Sequence, residues 1–190
     1  MTVKYGQIPS SGVLLDRGEL KRRLGGDFES TLKKYSESLS AHFGALEIKY
    51  SVGEAELFPT DCGVCVGDTE IRSSALARLI SGCKKCAVLA LTLGLDTDRF
   101  IKRCAIKSDT LGFVCDAYAS ALCDSACIAL CKSLSLGNTA PFAPGYADTD
   151  TACLPALLKI ADPSGALGIN FTDSTLMLPT KSIIVIVGKM

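Results

Sequence analysis

The sequence predicts an α+β fold, and three observations carry that reading. Strand-like patterns cluster in the middle and at the C-terminal end, with helical patterns between and before them, instead of alternating as regular strand–helix–strand units. A long helical pattern over residues 110–136 is crowded with Ala, Ser and Cys, so a sheet can approach its backbone closely. The apolar run 86–93 shows almost no alternation, as expected of a strand buried on both faces. At 190 residues, without an internal repeat, low-complexity tract or linker, the chain reads as one domain. Residues 1–45 read as an N-terminal helical segment packed on it.

Residues 1–15 have no helical period and read as an extended lead-in. Asp16 caps a short helix through Leu24, which Gly25-Gly26 stops. Asp27 caps a second helix over 28–43, with Phe28, Leu32, Tyr35 and Leu39 recurring as one apolar face. Gly44 ends it, and His42 in its last turn reads as a surface residue favoured by the helix dipole. From Leu46 the period becomes two: 46–50 alternates, and a second short strand is expected over 55–58, before Pro59. Residues 73–81 read as a helix with Leu76, Leu79 and Ile80 inward.

Gly94 ends the buried strand, and Asp96 opens a helix bearing Phe100, Ile101 and Cys104 on one side. Asp109 caps the long helix, which stops at Gly137. Its Cys115, Cys123, Cys127 and Cys131 form one stripe, and Asp116 and Asp124 mark its solvated or site-facing edge. Residues 149–160 are helical in pattern despite Pro155. Asp162-Pro163-Ser164-Gly165 is a turn, and 167–171, 176–178 and 183–187 read as strands.

Composition excludes several functions. Lys+Arg and Asp+Glu are both 20, so no charge footprint for nucleic acid or an anionic membrane surface exists. No apolar run is long enough to span a bilayer, and Met-Thr-Val-Lys-Tyr-Gly has no signal-peptide core. The expected location is the cytoplasm. The single histidine, His42, rules out a His pair and nearly excludes a His-centred triad. Phosphate-loop, dinucleotide-fingerprint and His-Glu-x-x-His patterns are absent.

Ten cysteines in a reducing compartment are buried small hydrophobes or metal ligands. Cys62-x-x-Cys65 and Cys83-x-x-Cys86, seventeen residues apart, have the spacing of a four-thiolate zinc site. Against this, the segment between them looks like an ordinary amphipathic helix, Cys86 opens a buried strand, and six more cysteines show free use of the residue. The bland reading is favoured, so no metal site is assigned.

The stretch Phe142-Ala143-Pro144-Gly145-Tyr146-Ala147-Asp148 stands out. Pro141 and Pro144 lack N–H donors and fix φ, while Gly145 admits angles closed to other residues. Such a turn is either a stiff connector or a rigid mount for Tyr146.

That stretch is followed by Gly168-Ile169-Asn170-Phe171-Thr172-Asp173-Ser174 and Met177-Leu178-Pro179-Thr180-Lys181-Ser182. In this order and spacing the C-terminal part is similar to the activation domain of cobalamin-dependent methionine synthase, in its stand-alone form. Cys83-Lys84-Lys85 and Leu91-Thr92-Leu93-Gly94 also fit that family. The resemblance covers most of residues 70–190 and is weak before residue 70, apart from Arg17-Gly18-Glu19-Leu20-Lys21-Arg22-Arg23-Leu24-Gly25.

It implies a twisted antiparallel sheet flanked by helices, and a role in reactivating the oxidised enzyme. A donor such as flavodoxin supplies the electron, S-adenosylmethionine bound by this domain supplies the methyl group, and the cobalamin is carried by the partner protein. Such a domain is a positioning device, and the cofactor carries the chemistry. The resemblance places Tyr146, Gly145, Pro144 and Ala143 in the binding groove and makes Asp27 the candidate for the methionine amine. The family's arginine, five residues before the tyrosine, pairs with the methionine carboxylate. Here Pro141 stands in its place, so S-adenosylmethionine binding is expected to be weakened unless Lys181 or another cation substitutes. The alternative is a non-catalytic module of the same fold that docks on a corrinoid protein without binding S-adenosylmethionine.

Overall fold

The structure, a computed structural model, describes residues 3–190. Its centre is β5 (Lys85–Thr92), with β2 (Glu47–Thr60) on one edge and β8 (Ser182–Lys189) on the other, all antiparallel. Ala87, Leu89 and Leu91 of β5 face one core while Cys86, Val88 and Ala90 face another. All six are fully buried, which is why the run carries no polar residue between them.

β1 (Lys4–Pro9) pairs with Glu47–Val52 of β2. β3 (Gly63–Val66) pairs farther along β2, and β4 (Thr69–Ile71) adds to β3. The expected lead-in thus contains a strand at 4–9 and a short helical turn at 10–12, and its residues 1–2 lie outside the described range. The two short strands expected at 46–50 and 55–58 are one, because Ser51, Val52 and Gly53 keep pairing with Ala90, Leu89 and Val88. Of the last three expected strands only β8 joins the main sheet. β6 (Asn170–Phe171) and β7 (Met177–Leu178) form a two-residue ladder of their own.

Helices cover both faces. α6 (Asp109–Ser133) packs on β5 and β8, flanked by α5 (Leu95–Lys107) and α1 (Arg17–Leu24). α6 is long and apolar enough to cross a membrane, and most of its apolar window is buried in the first core. α4 (Ser74–Leu79) and α7 (Leu154–Ala161) cover the opposite face with Leu76, Leu154, Leu157 and Ala161. The architecture is α+β, an antiparallel sheet flanked by helices.

Asp16 caps α1 as expected, accepting from the Gly18 and Glu19 amides. The second helix breaks at Tyr35 into α2 (Phe28–Lys34) and α3 (Ser36–Phe43). Ser108, not Asp109, caps α6. α7 begins only at Leu154, because Pro155 is tolerated in the first turn of a helix and not within it. His42 is not a free surface residue. It is half-buried, stacked on Phe100 at 4.2 Å between ring centroids and 3.1 Å from the Thr97 hydroxyl.

The two cysteine pairs do not converge: Cys62 is exposed, Cys86 lies in the second core, and burial pushes its thiol up to about 12. Among the described residues no cluster of three metal-ligating side chains is present.

Candidate binding groove

The turn over 141–148 is tied down at both ends. Phe142 bridges to Ile186 of β8 through two backbone hydrogen bonds, of 2.9 and 2.8 Å. Asp148 reaches the start of α4, where the Ser73 hydroxyl donates to it at 2.5 Å and the Ser74 amide and hydroxyl at 2.7 Å. These donors, led by Ser73, hold the Asp148 carboxyl well below the usual carboxylate range. Between the anchors, Gly145 has φ +95° and Ala147 φ +54°. A non-glycine residue in that region costs on the order of 1 kcal/mol, and such strain persists only where the surroundings impose it. Tyr146, between the two, is thereby held out at 67% exposure.

Tyr146 stands on the ridge between two lobes of a groove, with volumes of about 220 and 340 Å³. Asp124, Ala143 and Ile183 are common to both lobes. The smaller lobe has an apolar side of Leu154, Met177 and Ile184, with Arg23 and Lys181 at its polar positions. The larger runs between α1 and α6, past Glu19, Arg22 and Ile128. Six elements therefore build it: α1, α6, the turn, α7, β7 and β8.

The charges are paired across these elements. Arg22 grips Glu19 through Nε and Nη2, at 2.8 and 2.6 Å. Arg23 Nη2 donates to Asp124 at 3.0 Å, joining α1 to α6. Lys181 Nζ lies 2.8 Å from Asp116 and donates to the Ser120 hydroxyl at 2.9 Å. Asp98, buried in α5, accepts from the Thr180 amide and hydroxyl and so fixes the segment that presents Lys181. Arg22 holds the Glu19 carboxyl below its ordinary value, whereas burial raises that of Asp124 against the opposing pull of Arg23.

The groove offers binding contacts and no reactive group. Burial pushes the Cys123 thiol up to about 12, and a hydrogen bond with Cys131 raises that of Cys127 as well. Both thiols therefore stay protonated at neutral pH. What remains is shape, an exposed aromatic ring and paired charges, the equipment for holding a ligand.

Of the residues expected at the site, Tyr146, Pro144 and Ala143 come together along the groove. Gly145 shapes the turn without lining either lobe. Asp27 is not brought to the groove: its carboxylate accepts from the Ser30 amide and caps α2. The carboxylates that do line the groove are Asp16, Glu19 and Asp124. Pro141 lines the larger lobe, where it offers no donor. Arg22, Arg23 and Glu19 were missed as groove residues. Their signal is the adjacent Arg pair ending a short helix, and it gains meaning only once α1 lies on α6.

No family model and no curated relative matches the sequence. Among solved structures, the crystal structure of the MetH reactivation domain bound to AdoHcy superposes with a TM-score of 0.70. The alignment covers 98% of this chain and 78% of that one, at 12% sequence identity. The chain has the MetH reactivation-domain fold. At this identity the match speaks for the backbone, and the groove chemistry is this chain's own. That fold agrees with the antiparallel sheet flanked by helices described here.

Proposed function

We propose that the chain binds S-adenosylmethionine in the groove beside Tyr146 and serves in the reductive reactivation of a cobalamin-dependent methionine synthase or related corrinoid methyltransferase. The observation that carries this reading is the fold match over 98% of the chain to a domain whose crystal structure holds AdoHcy. The groove supports it: a rigid turn presents an aromatic ring beside an apolar wall and paired charges. A sulfonium cation is attracted to the face of such a ring, by about 0.5–2 kcal/mol. The residues bind and orient the ligand, and the methyl transfer belongs to the cobalamin of a cytoplasmic partner, with a flavodoxin-type protein as electron donor.

One observation favours a second reading, a docking module without S-adenosylmethionine affinity. Pro141 donates nothing, and the groove's cations already have acidic partners within the chain. The two readings part in one assay. Methionine synthase lacking its reactivation domain is mixed with this protein, a reductant and methyl-labelled S-adenosylmethionine. The first reading expects label on the partner's cobalamin only when this protein is present. Co-purification with the partner and no label would leave the docking reading in place.

A further inference from the structure

The groove contains three cations, and they differ in how fully their donors are used. Arg22 is gripped bidentately by Glu19. Lys181 is only 12% exposed at its side chain and is held by both Asp116 and Ser120. Arg23 is less satisfied. Its Nη2 bonds Asp124, while its buried Nε lies 2.5 Å from Glu19 Oε1 without the alignment of a hydrogen bond. Its Nη1 donates to no acceptor among the described residues. Arg23 therefore has donors to spare, and unlike Arg22, whose Nη1 is also unbonded among the described residues, it faces the smaller lobe beside Tyr146 and Asp124.

An α-amino acid carries a carboxylate and an ammonium on one carbon, so its complement is a cation and an anion held side by side. The Arg23–Asp124 pair, 3.0 Å apart and partly buried, is such a complement. Exchanging its internal bond for two bonds to a zwitterion leaves no charge unpaired, which is the condition for a favourable ion pair away from water.

Resting on the reading above, we propose that Arg23 takes the carboxylate and Asp124 the ammonium of the ligand's amino-acid end. The carboxylate partner that Pro141 cannot supply thus comes from α1 across the groove.

The test is calorimetric titration of the full chain with two thioethers, S-adenosylhomocysteine and 5′-methylthioadenosine, which lacks the amino-acid end. Arg23→Gln is expected to weaken S-adenosylhomocysteine about ten- to hundredfold, as for loss of a charge-assisted hydrogen bond. 5′-Methylthioadenosine should stay within about twofold, which also shows the variant to be folded. Asp124→Asn, as an independent second variant, should show the same selective loss. If wild-type protein binds S-adenosylhomocysteine and both variants bind it equally well, or lose both ligands alike, this assignment is wrong while the proposed function stands. If wild-type protein binds neither ligand, the proposed function fails and takes the assignment with it.

Discussion

Tyr146 is two-thirds exposed, and its position is set by the backbone around it, between Gly145 and Ala147. Removing its ring therefore takes little from the core. Tyr146→Ala should leave the melting temperature within about 2 °C, since surface substitutions stay near ±0.5 kcal/mol. The same change should weaken S-adenosylmethionine roughly tenfold, the effect of losing an aromatic contact of about 1.4 kcal/mol. His42 behaves in the opposite way, as a matter of stability alone. Burial lowers its pKa, the nearby Arg103 adds to this, and Asp96 opposes it. The unfolded chain thus takes up a proton more readily than the folded one. Stability from this group is complete above about pH 6.5, the unfolded value, and is lost as pH falls from there through the lower folded-state pKa. His42→Phe keeps the stack on Phe100, so its melting temperature should drop less than that of wild type between pH 8 and pH 5. Parallel loss in both proteins would show that His42 is not the group responsible.

At the scale of elements, the sheet and its covering helices approach closely where side chains are absent. Gly53 of β2 lies against α7, and a Cβ there would collide with the Ile160 carbonyl. In an open strand, Gly→Ala would stabilise by about 0.5–1 kcal/mol. Here Gly53→Ala should destabilise by roughly 1–3 kcal/mol, because α7 must shift. Chemical denaturation decides the sign. Such contacts explain which elements were legible in the sequence. β5 was legible because burial on both faces leaves a continuous apolar run. α1 was legible from Asp16, whose side chain accepts from its own first turn, and α4 from the spacing of Leu76, Leu79 and Ile80. β1 was not, since its burial pattern is mostly exposed and its pairing to β2 joins residues some forty positions apart. The break at Tyr35 was hidden because Leu32 and Leu39 keep one apolar face across it. β6 and β7 were expected as strands over 167–171 and 176–178, and each forms over only two residues of its span.

At the scale of the molecule, one antiparallel sheet with a core on each side carries a groove where α1, α6, the turn, α7, β7 and β8 meet. The turn was legible, because Pro144-Gly145-Tyr146 is contiguous and its backbone chemistry is local. The charges opposite it were only partly so. Lys181 and Asp124 carried signals, one as a candidate cation and the other as an acid in a small-residue helix. Arg23 had only its place in an Arg pair ending a short helix until tertiary packing placed it 3.0 Å from Asp124, about a hundred residues away. Asp27 carried two expectations, helix cap and partner of the methionine amine, and the structure shows it as the cap of α2 through Ser30, away from the groove lining.

The central claim is that this groove holds an S-adenosyl ligand, and calorimetric titration of the purified protein with S-adenosylmethionine tests it most directly. Saturable binding at one site, weakened about tenfold in Tyr146→Ala, is the predicted result. Absence of binding at millimolar ligand, or equal affinity in the two proteins, would contradict it.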